Sequence, residues 1–452
     1  MMRPHTRDGI SLTYLFLAGV LMSTAPAFAQ QTPEEAAGGG QLVRKEEKPI
    51  NLCAGCISTL FSEGSKGGIT PYGRIELDGI YSSRNTNPLD PSQFNGYATA
   101  AGRANNRSST LNPRYSVFGI RGDRTDGVHS LSGVVEADFY GQTDNAGNLP
   151  PRLRLAYLKY SPNNNKTSIT IGQDWNPIMG LLPDLIDFSI MGYGGNLWNR
   201  LPQVTLRHKF DDHWEGLLTA MRFERGLSQC CGQVQVRPNT VIAGGGPTNV
   251  TAFNDPVQVP YFGTRLAYNG TGSLKGTMLA ANVAYRYYRS APVPANPAFQ
   301  SGKDINSYVI GLEGVHQITP RLKFMGELAW GQALGVEWFR FNQELNLVNG
   351  NSVRTLTGWA QLSYAYSRDY TFLAGWGFDN PLNSDLKGSI TVQNSNVQYL
   401  DNQRTFLTAI HPIWADFYTG FEWTHLWTSW AGPSPNQSYQ ADQFMLSAWY
   451  NF

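Results

Sequence analysis

Arg152 and Arg154 stand two residues apart in the run Arg-Leu-Arg-Leu, and Glu136 and Asp138 stand two apart in the segment before it. A spacing of two puts both members of each pair on one face of an extended strand. Two guanidiniums on one face attract small anions, and carboxylates on the adjacent strand can pair with them. Arg74 and Arg121 fit the same pattern on earlier segments, and Gln203 and Arg207 repeat it more weakly on a later one. Two further acids, Asp184 and Asp187, lie in an otherwise apolar connection. Covalent chemistry finds no such pattern. His129, His208, His213, His316, His411 and His425 show no metal-ligand spacing, and no Gly-rich phosphate loop precedes a helix. No Ser/His/acid constellation can be assembled, so the reading contains no catalytic residue, no metal and no cofactor. Cys53 and Cys56 form a C-x-x-C, and Cys230 and Cys231 are adjacent. An even count in an oxidising compartment favours disulfides, of which Cys53–Cys56 is the simplest. Ile57 follows Cys56, so the haem-attachment pattern is absent.

Charge pairs of this kind need a frame whose two faces differ. The 452 residues are 15% charged, against roughly 25% in ordinary globular domains. They are 12% aromatic and include 47 Gly, yet mean hydropathy is −0.32. After residue 29 there is no apolar run of about 18 residues, which argues against spanning helices. The 35 basic and 34 acidic residues form no basic stripe, which excludes a nucleic-acid partner. At the start, Arg3 and Arg7 precede the apolar stretch 10–22, and Ala27-Phe28-Ala29 supplies a cleavage site. Residues 1–29 therefore read as a signal peptide and residues 30–69 as a flexible periplasmic N-terminal segment, rich in polar residues and Gly.

Residues 70–452 read as strands. Leu131, Gly133, Val135, Ala137 and Phe139 share one face, and Ser132, Val134, Glu136, Asp138 and Tyr140 share the other. Sixteen such segments can be drawn, from 70–82, 112–122, 128–140, 150–161 and 166–175 through to 398–411, 415–428 and 439–452. Their connections alternate between short turns, such as 123–127 and 211–212, and long stretches, such as 83–111 and 225–259. That rhythm belongs to an up-and-down membrane barrel with long external loops and short periplasmic turns. The last segment carries Phe444, Leu446, Ala448, Tyr450 and the terminal Phe452 on one face. A terminal aromatic on an amphipathic final strand resembles the signal read by the outer-membrane barrel-assembly machinery.

The segments SVFGIRG (116–122), LSGVVEADFYG (131–141), RLRLAYLKY (152–160), IGQDWNP (171–177), RLPQVTLRH (200–208), GELAWGQALG (326–335) and GWAQLSY (358–364) occur in this order. They are similar to segments of the Gram-negative trimeric sixteen-stranded porins, and most closely resemble the dicarboxylate-uptake DcaP-like porins. The resemblance implies a homotrimer in the outer membrane that passes small, often anionic, solutes. It also implies that the third external loop folds inward. Some of those porins carry a longer helical N-terminal extension, whereas residues 30–69 show no sustained heptad.

The third external connection, 176–199, suits that role, because Met179, Leu181, Leu182, Leu185, Ile186, Phe188 and Ile190 are too apolar for a freely solvated loop. Asp184 and Asp187 would then present carboxylates to the lumen, opposite Arg74, Arg121, Arg152 and Arg154 on the wall. Glu136, Asp138, Gln203 and Arg207 would be secondary pore-lining residues. A lipid-facing Arg costs about 2–4 kcal/mol at the midplane, which favours the lumen for these arginines. The expected architecture is all-β, a 16-stranded antiparallel transmembrane β-barrel with an inward-folded third external loop. The expected activity is passive diffusion of small hydrophilic solutes, with a preference for small anions such as dicarboxylates. A barrel enzyme acting on lipids or peptides, and a plugged binding or adhesion barrel, are the alternatives. Outer-membrane lipid is the expected surrounding.

Overall fold

The structure is a computed structural model that describes residues 66–84, 107–141, 150–162, 166–222, 259–289, 301–340, 343–346, 348–388, 398–431 and 437–452. Residues 1–29, read above as a signal peptide, residues 30–65 and all four cysteines lie outside the described residues. The strands are β1 (Lys66–Ser82), β2 (Ser108–Asn112), β3 (Val117–Thr125), β4 (Ser130–Asp138), β5 (Arg152–Ser161), β6 (Thr167–Trp175), β7 (Arg200–Lys209), β8 (Trp214–Met221) and β9 (Tyr261–Asn269), followed by β10 (Thr277–Arg289), β11 (Asp304–Thr319), β12 (Leu322–Gln332), β13 (Arg354–Ala365), β14 (Thr371–Pro381), β15 (Tyr399–Trp414), β16 (Phe417–Trp430) and β17 (Gln437–Asn451). From β3 onward each strand pairs antiparallel with the next in the chain, β1 pairs with both β2 and β3, and β1 also pairs with β17 from Arg74↔Asn451 to Ser82↔Gln443, which closes the ring.

The ring has sixteen staves, because β2 and β3 are two halves of one. The lower half of β1 pairs with β3, from Lys66↔Thr125 to Arg74↔Val117, and its upper half pairs with β2, from Asp78↔Asn112 to Ser82↔Ser108. The break falls at Pro113, which has no N–H to give the ladder. Instead Ser116 N donates to Pro113 O at 3.1 Å and Arg114 N donates to Asn112 Oδ1 at 3.1 Å. The segment expected at 112–122 is thus longer and interrupted, and β1 begins at Lys66 rather than near residue 70.

Alternation decides which way each side chain points. On β11, Leu312 is 62% exposed whereas Val309 is fully buried. Ile75 and Leu77 on β1, Leu131 and Val135 on β4, and Leu446 and Tyr450 on β17 are exposed in the same alternate rhythm. Each such side chain left in water would forfeit about 1.5–3 kcal/mol, so a continuous outer band of them makes sense against acyl chains. No helix among the described residues is long and apolar enough to cross a membrane.

The C-terminus seals the seam. Phe452 and Gly73 exchange two backbone hydrogen bonds of 3.0 Å. A Cβ on Gly73 would lie 2.4 Å from the Val117 carbonyl oxygen and 2.6 Å from the Phe452 ring, so only glycine fits there.

Two of the turns at the end nearer Phe452 are built by Asp side chains. Asp126 Oδ1 accepts from Val128 N at 2.9 Å and His129 N at 2.6 Å. Asp211 Oδ1 accepts from His213 N and Trp214 N, both at 2.7 Å. The bond from His129 N, helped by that from Val128 N, pulls the Asp126 carboxyl below the ordinary aspartate range; the bonds from Trp214 N and His213 N do the same for Asp211. A depressed carboxyl stabilises the turn above its unfolded pKa and loses that effect as pH falls through its folded pKa. Carboxyl-carbon NMR titration in micelles is expected to give midpoints for both residues below that of a free aspartate; ordinary midpoints would refute the turn assignment.

Candidate functional site: a constriction inside the barrel

The connection between β6 and β7, residues 176–199, turns into the barrel. Apart from Pro177, Gly180, Asp184 and Leu185, every residue in it is buried. The loop is therefore buried along nearly its whole length rather than at a few wall contacts. Ile178 and Met179 pack on Leu217, Tyr261 and Val309, whereas Leu181 and Ile186 pack toward Trp359, Phe406 and Trp449. Apolar burial of this kind carries the loop into a polar lumen, at about 1.5–3 kcal/mol for each large side chain.

Its backbone polar groups then need partners, and inward-facing wall side chains supply them. Gly180 N donates to Glu313 Oε2 at 3.0 Å, and Leu181 N to Glu327 Oε1 at 2.9 Å. Asp184 N donates to Gln361 Oε1 at 2.9 Å and Ile186 N to Glu422 Oε2 at 2.8 Å. On the return leg, Asn402 Nδ2 donates to Tyr193 O at 2.6 Å and Thr357 Oγ1 to Gly195 O at 3.1 Å. Gly195 sits at φ +114°, where a Cβ would lie 2.1 Å from the Gly358 carbonyl oxygen. Met179, Ile190, Met191 and Tyr193 also hold positive φ, a strain of roughly 1–3 kcal/mol each that the anchors offset.

The two loop acids have different fates. Asp184 sits at the tip, where Lys323 Nζ reaches it at 3.0 Å and Gln361 Nε2 donates to it at 3.3 Å. Asp187, expected to face the lumen, is 4% exposed and bound by Arg404 Nη2 at 2.6 Å. Burial of the flanking Ile186 and Phe188 draws it into the wall, so it is a tether rather than a lumen charge.

Asp184, Leu185 and Ile186 face Arg74, Glu76, Ile410 and Trp449 across a narrow cleft. Arg74 pairs with Glu76 at 3.1 Å and lies over the Tyr115 and Trp449 rings at 5.7 and 5.6 Å. Beside it stands a bank of three arginines on β5 and β7. Arg152 binds Asp138 through Nε at 3.0 Å and Nη2 at 2.5 Å, and Arg154 Nε donates to Glu136 Oε1 at 2.7 Å. Arg154 and Arg200 also approach Asp138, at 3.5 and 3.8 Å. A bulge makes this convergence possible: Glu136 faces Leu155 and Ala137 faces Leu153, which leaves Arg154 as the extra residue. Arg154 Nη1 and Arg200 Nη1 are buried without a hydrogen-bond acceptor among the described residues.

The remaining residues chosen from sequence are placed as follows. Arg121 pairs with Asp123 at 2.7 Å, both side chains about half exposed. Arg207 pairs with Glu215, and Gln203, itself buried, donates to Trp175 O at 2.7 Å. Sequence reasoning passed over Arg200, Glu313, Glu327, Gln361, Arg404 and Glu422. Their inward strand parity was readable, but nothing local says that a loop distant in the chain will seek them.

No family model matches the chain, and no curated protein does. Among solved structures it is similar to the outer membrane channel DcaP of Acinetobacter baumannii, with TM-score 0.64, 17% identity, and coverage of 85% of this chain and 97% of that one. It is also similar to Salmonella typhi OmpF in complex with daunomycin, with TM-score 0.52, 10% identity and coverage of 85% and 98%. OmpT, an outer membrane protein of Vibrio cholerae, matches with TM-score 0.50, 11% identity and coverage of 87% and 99%. The chain has the porin fold. In this porin-fold barrel, an outer-membrane type of structure, the third external loop and the β1–β17 seam line one cleft, with the arginine bank on β5 and β7 beside it.

Proposed function

We propose that the protein is an outer-membrane passive-diffusion channel for small hydrophilic solutes, that it prefers small anions such as dicarboxylates, and that it works as a homotrimer. In this reading residues 1–29 direct export and are removed, and the strand ending in Phe452 is read by the assembly machinery. The observation that supports anion preference is the layering of charge on the inner wall. In three pairs along the wall the base is the partner nearer water, whereas Arg286 and Arg404 are the more buried members of theirs. Arg74 is 18% exposed over Glu76 at 1%, Arg207 27% over Glu215 at 6%, and Arg265 12% over Glu313 at 0%. Glu313, Glu327 and Glu422 are further occupied by N–H groups of the third loop. A solute thus meets guanidiniums first, with Asp184 across the cleft, and cationic linings favour anions.

Reversal potentials in a salt gradient across a planar bilayer test this. The wild-type channel is expected to favour chloride over potassium, and Arg74→Gln is expected to lower that preference on the order of twofold. A wild-type reversal potential favouring cations would reject the anion preference. Purified, folded protein without conductance would reject the channel itself.

A further inference from the structure

Five of the chain's seven histidines, His129, His208, His213, His316 and His411, sit on one rim, at the short-turn end of the barrel. Short turns mark the periplasmic end. Four of them continue the outward-facing rows of their strands, below exposed Leu131, Leu206, Leu312 and Leu407 respectively. They lie where the apolar band meets the headgroup layer.

The four rings are held in a common way. Nδ1 faces the protein: His129 meets Tyr160 OH at 2.8 Å, His208 meets Thr167 Oγ1 at 2.8 Å, His316 meets Thr277 Oγ1 at 2.8 Å, and His411 donates to Asp369 O at 2.7 Å. His129 also stacks on Tyr160 at 5.9 Å and 11°, and His411 on Tyr370 at 4.6 Å and 13°. Nε2, on the far side of each ring, has no partner among the described residues. Across the remaining strand pairs, His208 faces Gly216, His316 faces Phe324 and His411 faces Thr419, none of them charged. The acids in the adjoining turns include Asp126, whose Oδ1 accepts from Val128 and His129 N–H, Asp211, whose Oδ1 accepts from His213 and Trp214 N–H, Asp369, which offers its main-chain oxygen, and Asp212 and Asp416. Among the described residues only His425, near the opposite end, is ion-paired with an acid, Asp442 at 2.9 Å.

We propose that His129, His208, His316 and His411 form a docking band for the phosphate headgroups of anionic phospholipid in the periplasmic leaflet. Histidine gains its charge within the range pH 5 to 8, and the protonated ring turns Nε2 into a charged donor toward phosphate. The fixed Nδ1 contacts orient that donor outward before any lipid arrives. The band's hold on an anionic leaflet therefore tightens as the periplasm acidifies, independently of what the lumen conducts.

The test uses the purified full-length protein in neutral detergent micelles, doped with either phosphatidylglycerol or phosphatidylcholine, with thermal unfolding followed at pH 5.5 and 7.5. Phosphatidylglycerol is expected to stabilise the wild type with an apparent affinity on the order of tenfold tighter at the lower pH. The variant carrying His129→Asn, His208→Asn, His316→Asn and His411→Asn keeps the inward hydrogen bonds but cannot charge, and is expected to lose that difference. His425→Asn is expected to retain it. Should the fourfold variant not fold, the pair His129→Asn and His411→Asn is expected to show a reduced difference. An equal response at both pH values, an undiminished response in the variants, or an equal response to glycerol phosphate alone would overturn the proposal.

Discussion

Arg404→Met is expected to destabilise the barrel by about 3–5 kcal/mol, the cost of removing one partner from a buried ion pair. Arg404 is fully buried, with Nη2 at 2.6 Å from Asp187 and 3.6 Å from Glu422, and Nη1 at 2.5 Å from Ser189 Oγ. Without its charge, two carboxylates stay in the interior with no cation against them. Glu422 meanwhile still holds Ile186 N at 2.8 Å and Thr408 Oγ1 at 2.9 Å. The loss therefore reaches the third loop at two points, Ile186 and Asp187. Denaturant unfolding followed by tryptophan fluorescence measures the stability, and open-channel current noise reports the loosened loop. Adding Asp187→Asn is expected to recover part of the loss, because a neutral amide no longer needs the guanidinium. A variant as stable and as quiet as wild type would show that the tether is dispensable.

Phe339→Ala is expected to have a comparable effect, about 3–5 kcal/mol for truncating a buried phenylalanine. Phe339 belongs to the sixth external connection, between β12 and β13, which also turns into the barrel. Its ring is fully buried and stacks on Trp198 of the third loop, with centroids 4.3 Å apart and planes at 16°. The next residue, Arg340, is fully buried and binds Asp379, which also accepts from Tyr399 OH at 2.9 Å and Thr355 Oγ1 at 2.8 Å. The sixth loop is thus fastened to the wall by Arg340 and presses the return leg of the third loop through Phe339. Amide exchange across residues 189–196 should accelerate in Phe339→Ala, whereas Phe339→Tyr keeps the stack and should protect them. Unchanged exchange in the alanine variant would mean that the two loops are held separately.

Much of this architecture can be read along the chain. Period-two alternation and the contrast between short turns and long loops are local properties, fixed by strand geometry and turn chemistry. They locate sixteen staves and assign the two faces of each, and Arg152, Arg154, Glu136 and Asp138 are buried together, two apart on their strands. The apolar run from Met179 to Ile190 likewise announces that its loop will not remain in solvent.

What the chain could not reveal is which wall positions an inward loop would claim. Asp187 looks as available to the lumen as Asp184 in sequence, and its burial against Arg404 depends on a partner 217 positions away. The same holds for Glu313 and Glu327, which hold loop N–H groups, and for Phe339 against Trp198. Strand parity is set by neighbouring residues, so sequence determines it. Closing the ring brings distant segments into one small volume, where every buried charge and N–H must find a partner, and only the tertiary structure decides those pairings.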